Sequence, residues 1–148
     1  MPNYCLTICL YYGVPKTEIE KLQRVQNTAA RIVTRTRRHE HITPVLRNLH
    51  WLPVRQRVEL KVLHLTYKCR LYNSPSYIKE LISDYQSKRT LRSSSQWFLS
   101  LPRAPATITY GDAAFSISSP TLWNRLPGDI RDAISVGQFK SSFCFRLW

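Results

Sequence analysis

Val54-Arg55-Gln56-Arg57-Val58-Glu59-Leu60-Lys61-Val62-Leu63-His64-Leu65-Thr66-Tyr67-Lys68-Cys69-Arg70 is the stretch that decides the fold. Val54, Val58, Val62, Leu65 and Cys69 recur at steps of four, four, three and four, the period of one face of an α-helix. Leu60, Leu63 and Tyr67 widen that face beyond a single stripe, as expected of a helix covered on more than one side. The spacing predicts a central helix from Pro53 to about Arg70, against which the other elements must bury their apolar faces.

Toward the N-terminus a second helix is expected from Thr17. Thr17 and Glu20 fit a capping box, each side chain serving a free amide of the first turn. Leu22, Val25, Ala29 and Ile32 follow at helical spacing and predict a buried face. Lys21, Arg24, Arg31 and Arg35 form a neighbouring cationic stripe with Thr28 between them, and Arg35, Arg37 and Arg38 run into an expected turn. Thr43-Pro44 reads as the N-cap and first residue of a short helix holding Val45, Leu46 and Leu49. Tyr4 to Tyr12 is apolar and aromatic but too short for periodicity to separate helix from strand, and Gly13-Val14-Pro15 ends it.

Toward the C-terminus, Ser74-Pro75 repeats the cap-plus-proline start, before a helix carrying Ile78, Leu81 and Ile82. Ser83 to Pro105 is rich in Ser, Arg and Pro and reads as a linker or loop. Gln96–Leu101 and Ala106–Tyr110 have the aromatic and β-branched content of two short strands. Thr121 to Leu126 reads as a helical turn bearing Trp123. Ser135 and Gln138 fit a capping box that opens a terminal helix with Val136, Phe139, Phe143 and Leu147 on one face. The expected fold is therefore mainly α: a small bundle of about four to five helices, a Ser/Pro/Arg-rich loop, and room for a short β-hairpin in the C-terminal half. The expected division is a helical region over 1–85 and, over 86–148, an irregular segment with short strands and a terminal helix.

The chain has 148 residues, enough to bury a core without disulfides or metal. Charge is its outlier. Lys plus Arg number 22 and Asp plus Glu number 9, a formal +13. Residues 1–70 hold 13 basic and 4 acidic groups, so the excess sits mainly in the N-terminal half. Such a field suits a polyanion. No apolar run approaches the roughly 20 residues that cross a bilayer, and no Lys or Arg precedes the short apolar stretch near the start, as a secretory signal requires. An intracellular protein of the nucleus or cytoplasm, with no membrane partner and mostly reduced, buried thiols, is the expectation.

Catalytic constellations are hard to find. Cys5 and Cys9 have zinc-like spacing, but Cys69 and Cys144 stand alone, and a structural zinc needs four converging ligands. His39-Glu40-His41 lacks the one-turn separation of a helical His-Glu-x-x-His site. There is no Gly-x-Ser-x-Gly elbow and no glycine-rich phosphate loop. The nine acids are scattered with no Asp-Asp pair, whereas metal-dependent phosphoryl transfer clusters its carboxylates. Asp129 and Asp132 read as first-turn helix residues favoured by the helix dipole. No catalytic residue, metal, cofactor or small-molecule substrate is therefore expected.

The positive signal is cationic. Lys21, Arg24, Arg31, Arg35, Arg37, Arg38, Arg47, Arg55 and Arg57 fall in one stretch opposed only by Glu40. Forked guanidinium donors match phosphate oxygens, so these nine are the candidate contacts to an RNA or DNA backbone. The competing reading is a solvated helix face that touches nothing. Trp51, His50 and Tyr67 offer rings for stacking on bases, although core packing is favoured for Trp51 and Tyr67 by their apolar neighbours.

From Leu22 to Thr34, Leu-Gln-Arg-Val-Gln-Asn-Thr-Ala-Ala-Arg-Ile-Val-Thr, the chain closely resembles the segment that follows the polymerase core in LINE-type, non-LTR retrotransposon reverse transcriptases of the Jockey and chicken-repeat groups. The resemblance continues in order through His41–Leu46, Leu49–Val54, Leu65–Lys68, Pro75–Tyr77, Thr90–Ser94, Tyr110–Ser116 and Leu122–Pro127, with Asn3–Cys5 and Tyr12–Pro15 fitting the stretch upstream. The ordered blocks are specific together, while any one alone is weak. The resemblance implies the thumb-like, post-palm region, which would help to grip template RNA and the primer hybrid and would have the upstream polymerase domain as a partner. That family's catalytic Tyr/Phe-Ala-Asp-Asp motif and endonuclease have no counterpart here, so no catalytic residue carries over. The abrupt beginning leads us to expect a truncated element copy or a partial reading frame. A protein-interaction role is the competing expectation, with Tyr4–Tyr12 and Phe139, Phe143 and Leu147 docking on the polymerase domain or another chain.

Overall fold

The computed structural model describes residues 11–72, 76–86, 97–102 and 115–147, with side chains to residue 144. Seven helices are present among them: α1 (Lys16–Thr34), α2 (Ile42–Asn48), α3 (Val54–Tyr72), α4 (Ser76–Lys79), α5 (Phe115–Asn124), α6 (Gly128–Arg131) and α7 (Val136–Leu147). The protein is mainly helical, a small bundle, with no named strand among the described residues.

The expected central helix is α3, and four of its five repeating apolar positions are buried, Val54 at its start being half-buried. Val58, Val62, Leu63, Leu65, Tyr67 and Cys69 all lie inside. Its broad face meets α5 and α7 in the largest core, where Val62, Leu63 and Tyr67 join Leu122, Trp123, Ile130, Phe139 and Phe143. That core crosses the boundary expected at residue 85. Aromatic rings form its centre. Tyr67 stacks on Phe139 at 4.7 Å between centroids, and Trp123 lies 6.1 Å from Phe139. Offset arrangements at these distances add to the effect of buried area. The polar tips are satisfied: Tyr67 Oη donates to the Ala133 carbonyl at 2.7 Å, and Trp123 Nε1 donates to the Trp97 carbonyl at 2.7 Å. A second hydroxyl pair, Thr66 and Ser119 at 2.7 Å, joins α3 to α5 inside the protein.

The C-terminal half holds more helix than its sequence pattern suggested. The turn expected over Thr121–Leu126 is the end of the ten-residue α5, which carries Pro120 within it. The Ser135–Gln138 box forms: Gln138 N donates to Ser135 Oγ at 3.1 Å, while Gln138 Oε1 accepts from Ile134 N, one residue earlier than the usual partner. Phe139 and Phe143 face inward as expected. The described part of the first expected strand pairs with 83–85. Tyr85 N donates to Phe98 O, Ser100 N donates to Ser83 O, and Asp84 and Leu99 form an antiparallel bridge. Asn124 holds this segment to α5 by accepting from Leu99 N and donating to Leu99 O, both at 2.9 Å. The second expected strand, over 106–110, and the Ser74-Pro75 cap lie outside the described residues.

Several local expectations are corrected. α1 begins at Lys16 after Pro15, with no side-chain cap, so Thr17 and Glu20 form no capping box. Pro15 stands at the N-cap with φ −51°, and its carbonyl accepts from Glu18 N and Ile19 N. α2 begins at Ile42, before Thr43-Pro44, again with no side-chain cap. α4 stops at Lys79, so Ile78 is buried in it while Leu81 lies beyond it and is exposed. Asp129 sits in the first turn of α6, but Asp132 is the residue that ends it.

The largest correction concerns α1. Its predicted buried face is outside: Val25 is 68% exposed and Ile32 72%, and Leu22 and Val33 are exposed with them. Ala30 is its buried residue, packed with Val45 and Leu46 of α2. Polar groups provide the attachment. Gln23 Oε1 accepts from Val54 N at 2.8 Å, capping the start of α3, and Gln26 Nε2 donates to Leu52 O at 2.9 Å. Gln23 Nε2 in turn donates to Asn27 Oδ1 at 2.8 Å. The amides on the adjoining face match the open backbone groups at the α3 N-terminus, so α1 docks through them and leaves its aliphatic stripe uncovered.

Candidate nucleic-acid interface

Helical geometry places Lys21, Arg24 and Arg31 within one sector of α1, beside the aliphatic stripe, while Arg35, expected on the same stripe, is the left-handed residue that ends the helix. Lys21, Arg24 and Arg35 are exposed and Arg31 is half-buried. Lys21 Nζ contacts Glu18 Oε1 at 2.8 Å in a solvent-exposed pair one turn apart, which at such a site leaves the lysine available to a competing anion. Arg24, Arg35 and Arg38 make no side-chain hydrogen bond or ion pair among the described residues.

The end of α1 gives this group its shape. Arg35 has φ 55° and ψ 29°, the left-handed conformation. Thr36 N donates to Arg31 O and Arg35 N to Ile32 O, the paired bonds of a Schellman motif. Glycine is the usual residue at this position because it has no Cβ to crowd the backbone. An arginine there turns the chain back, and Arg31 Nη1 bonds the Arg37 carbonyl at 2.6 Å. The turn bearing Arg37 and Arg38 is thereby fastened to the arginine stripe. Glu40, the lone acid of the stretch, has Oε1 turned to the Arg37 amide at 3.4 Å.

The remaining candidates divide. Arg57 lies at the start of α3, where its Nη2 approaches the Leu52 carbonyl at 3.5 Å, the same carbonyl that receives Gln26 of α1. It therefore adjoins α1. Arg55, two residues earlier, faces nearly the opposite side of α3. It pairs with Glu59 at 3.3 Å and borders a groove with Lys16 and Arg125. Arg47 is exposed on α2 and is itself engaged in an interaction. Of the proposed stacking rings, Tyr67 is buried in the main core, Trp51 packs on the Ala30 cluster, and His50 is exposed in a left-handed conformation with φ 53°.

Among the described residues no group of three or more His, Cys, Asp or Glu side chains converges, and no helix is long and apolar enough to cross a membrane. Cys5 and Cys9 lie outside the described residues. Cys69 is buried, and burial pushes its thiol up to about 11, so it packs as a protonated, nearly apolar group. No family model, curated protein or solved structure matches the chain.

Sequence reasoning missed a second cationic locus. Arg70 of α3 and Arg131 of α6 flank the 97–99 segment, with the Arg70 guanidinium 4.9 Å from the Trp97 ring centroid and that of Arg131 4.2 Å from Phe98. Burial lowers the Arg70 pKa, an effect reinforced by Arg131 and opposed by Asp84. Nothing in the linear pattern signals this pair, since 61 positions separate its members.

Proposed function

We propose that this chain contacts nucleic acid through the cationic sector of α1 and the turn that follows, as a non-catalytic region resembling the thumb-like, post-palm part of a LINE-type reverse transcriptase. The observation that carries the reading is the sector itself: Lys21, Arg24, Arg31, Arg35, Arg37 and Arg38 on one helix and its terminal turn, mostly open to solvent, with Glu40 directed to a backbone amide and Glu18 held in an exposed pair with Lys21. Two further features support it. An arginine occupies a left-handed position where glycine would be less strained, and the Arg31–Arg37 bond presets the turn. The ordered sequence blocks supply the family part of the proposal, with template RNA and a primer hybrid as the partners it implies.

Contacts of this kind are read through phosphate and depend on salt. Each phosphate neutralised steepens the log–log dependence of affinity on salt by about 0.9 for a duplex and about 0.7 for a single strand. Titrating RNA, duplex DNA and an RNA–DNA hybrid at several salt concentrations tests the reading. Changing Arg24, Arg35 and Arg38 together to Gln should flatten the slope by about 0.9 per lost duplex contact. A folded protein that binds none of the three at low salt rules the proposal out.

A second reading has an observation of its own. The exposed Leu22, Val25, Ile32 and Val33 beside the cationic sector favour docking on another protein surface, such as a polymerase domain. Phe139 and Phe143, expected to take that role, are buried in the core and are withdrawn from it. Polar substitution of Val25 and Ile32 separates the readings: it removes docking but leaves the salt-dependent binding intact.

A further inference from the structure

Between α3, α6 and the 97–99 segment lies a cavity of about 410 Å³, bordered by Arg70, Arg131, Trp97 and Trp123. Its volume is in the range of pockets that hold small ligands. Arg131 is 8% exposed, and its Nε and Nη1 have no hydrogen-bond partner. Guanidinium donors are seldom buried unpaired, because the lost hydration is not recovered. The contact of Arg131 with the Phe98 ring steadies the cation but leaves its Nε and Nη1 donors unanswered.

Arg70 supplies a second guanidinium on the same cavity. It sits over Trp97 and 5.5 Å from the Trp123 ring centroid, with Nη2 3.4 Å from Asp84 Oδ1. Asp84 is itself 70% exposed, so this pair is readily exchanged for another anion. Asp132 also borders the cavity and is exposed, and Lys79 adds a further cation. Two like charges brought to one half-buried site, each resting on a ring, leave an electrostatic demand that an oxyanion would meet.

We propose that this cavity binds a phosphate group, held by Arg131 and Arg70, with Trp97 as the platform for a flat ring attached to it: a nucleoside monophosphate unit. A bare carboxylate would answer the guanidinium forks but leave the cavity wide and the exposed Trp97 side chain uncovered. The site is separate from the cationic sector of α1 and does not depend on the reading given to that sector.

The test uses the whole chain, with tryptophan fluorescence and thermal denaturation followed as inorganic phosphate, a nucleoside monophosphate or acetate is added at constant ionic strength. Both phosphates should give saturable quenching and a raised Tm, with Kd on the order of 1 mM or tighter and the nucleoside form tighter than phosphate alone. Arg131→Met should weaken both by about tenfold or more, the effect of losing a charge-assisted hydrogen bond. It removes a buried, unanswered charge, so the ligand-free variant should melt no lower than the parent. Trp97→Ala, at an exposed position, should abolish the advantage of the nucleoside form while leaving inorganic phosphate bound. An α1 variant with Arg24, Arg35 and Arg38 changed to Gln should retain the full response, so that failure of one site is distinguishable from failure of the other. No saturable response to phosphate, an equal response to acetate, or an undiminished response in Arg131→Met overturns the proposal.

Discussion

α1 and α3 are both 19-residue helices with apolar residues at helical spacing, yet they use that spacing in opposite ways. α3 is enclosed, and its repeating positions beyond the first turn are buried. α1 lies at the edge, presents its aliphatic stripe to solvent, and attaches through Gln23, Gln26 and the small Ala30. Periodicity reports which side of a helix is apolar. Whether that side is covered depends on what the neighbouring elements offer, and the start of α3 offers unpaired backbone groups that amides satisfy.

The contrast is open to direct attack. Phe139→Ala removes the ring at the centre of the aromatic stack and should destabilise the protein by about 3–5 kcal/mol, whereas Val25→Ala and Ile32→Ala on α1 should each stay within about 0.5 kcal/mol. Denaturant unfolding of the three variants measures both. A large loss at Val25 or Ile32 would mean that the stripe is covered after all.

The next effect concerns pH. His64 lies buried in α3, and its imidazole is lowered to about 4, chiefly by burial and then by Lys140, Lys68 and Lys61. The folded protein keeps it neutral where the unfolded chain, titrating near 6.5, takes up a proton. Stability should therefore be full above about pH 6.5 and decline toward pH 4, by at most about 1.4 kcal/mol per unit from this group. Unfolding free energies across that range should flatten in His64→Gln; an unchanged slope would assign the loss to other groups.

The amide attachment is worth less. Gln23→Ala leaves Val54 N without its acceptor and should cost about 1 kcal/mol. Gln23→Leu, which extends the aliphatic surface but caps nothing, should not rescue it. Such a rescue would show that α1 docks by area and not by hydrogen bonds. The smallest effect is at Arg35. Arg35→Gly relieves the left-handed residue and should raise stability by about 0.5 kcal/mol, while lowering the salt slope of nucleic-acid binding by one contact. A gain in stability accompanied by weaker binding is the signature of an arginine kept for its charge.

Much of the fold was legible because its cause is local. The α3 spacing, the Ser135–Gln138 box and the inward Phe139 and Phe143 follow from residues within a turn or two of one another. The cationic sector was legible for the same reason, since helical pitch alone groups Lys21, Arg24 and Arg31. Pro120 hid the length of α5, because proline ordinarily marks a helix boundary. The exposed face of α1 was hidden by the rule that apolar stripes are buried.

The sequence by itself determined that the chain is helical, where its longest covered helix lies, and that positive charge gathers on one side of α1. Only the tertiary structure decided that Gln23 and Gln26 would be the adhesive face, and that Arg70 and Arg131 would share a cavity beside Trp97. Helix periodicity and charge density are properties of neighbours along the chain. The capping of one helix by another, and the convergence of two cations across 61 positions, exist only once the chain has closed on itself.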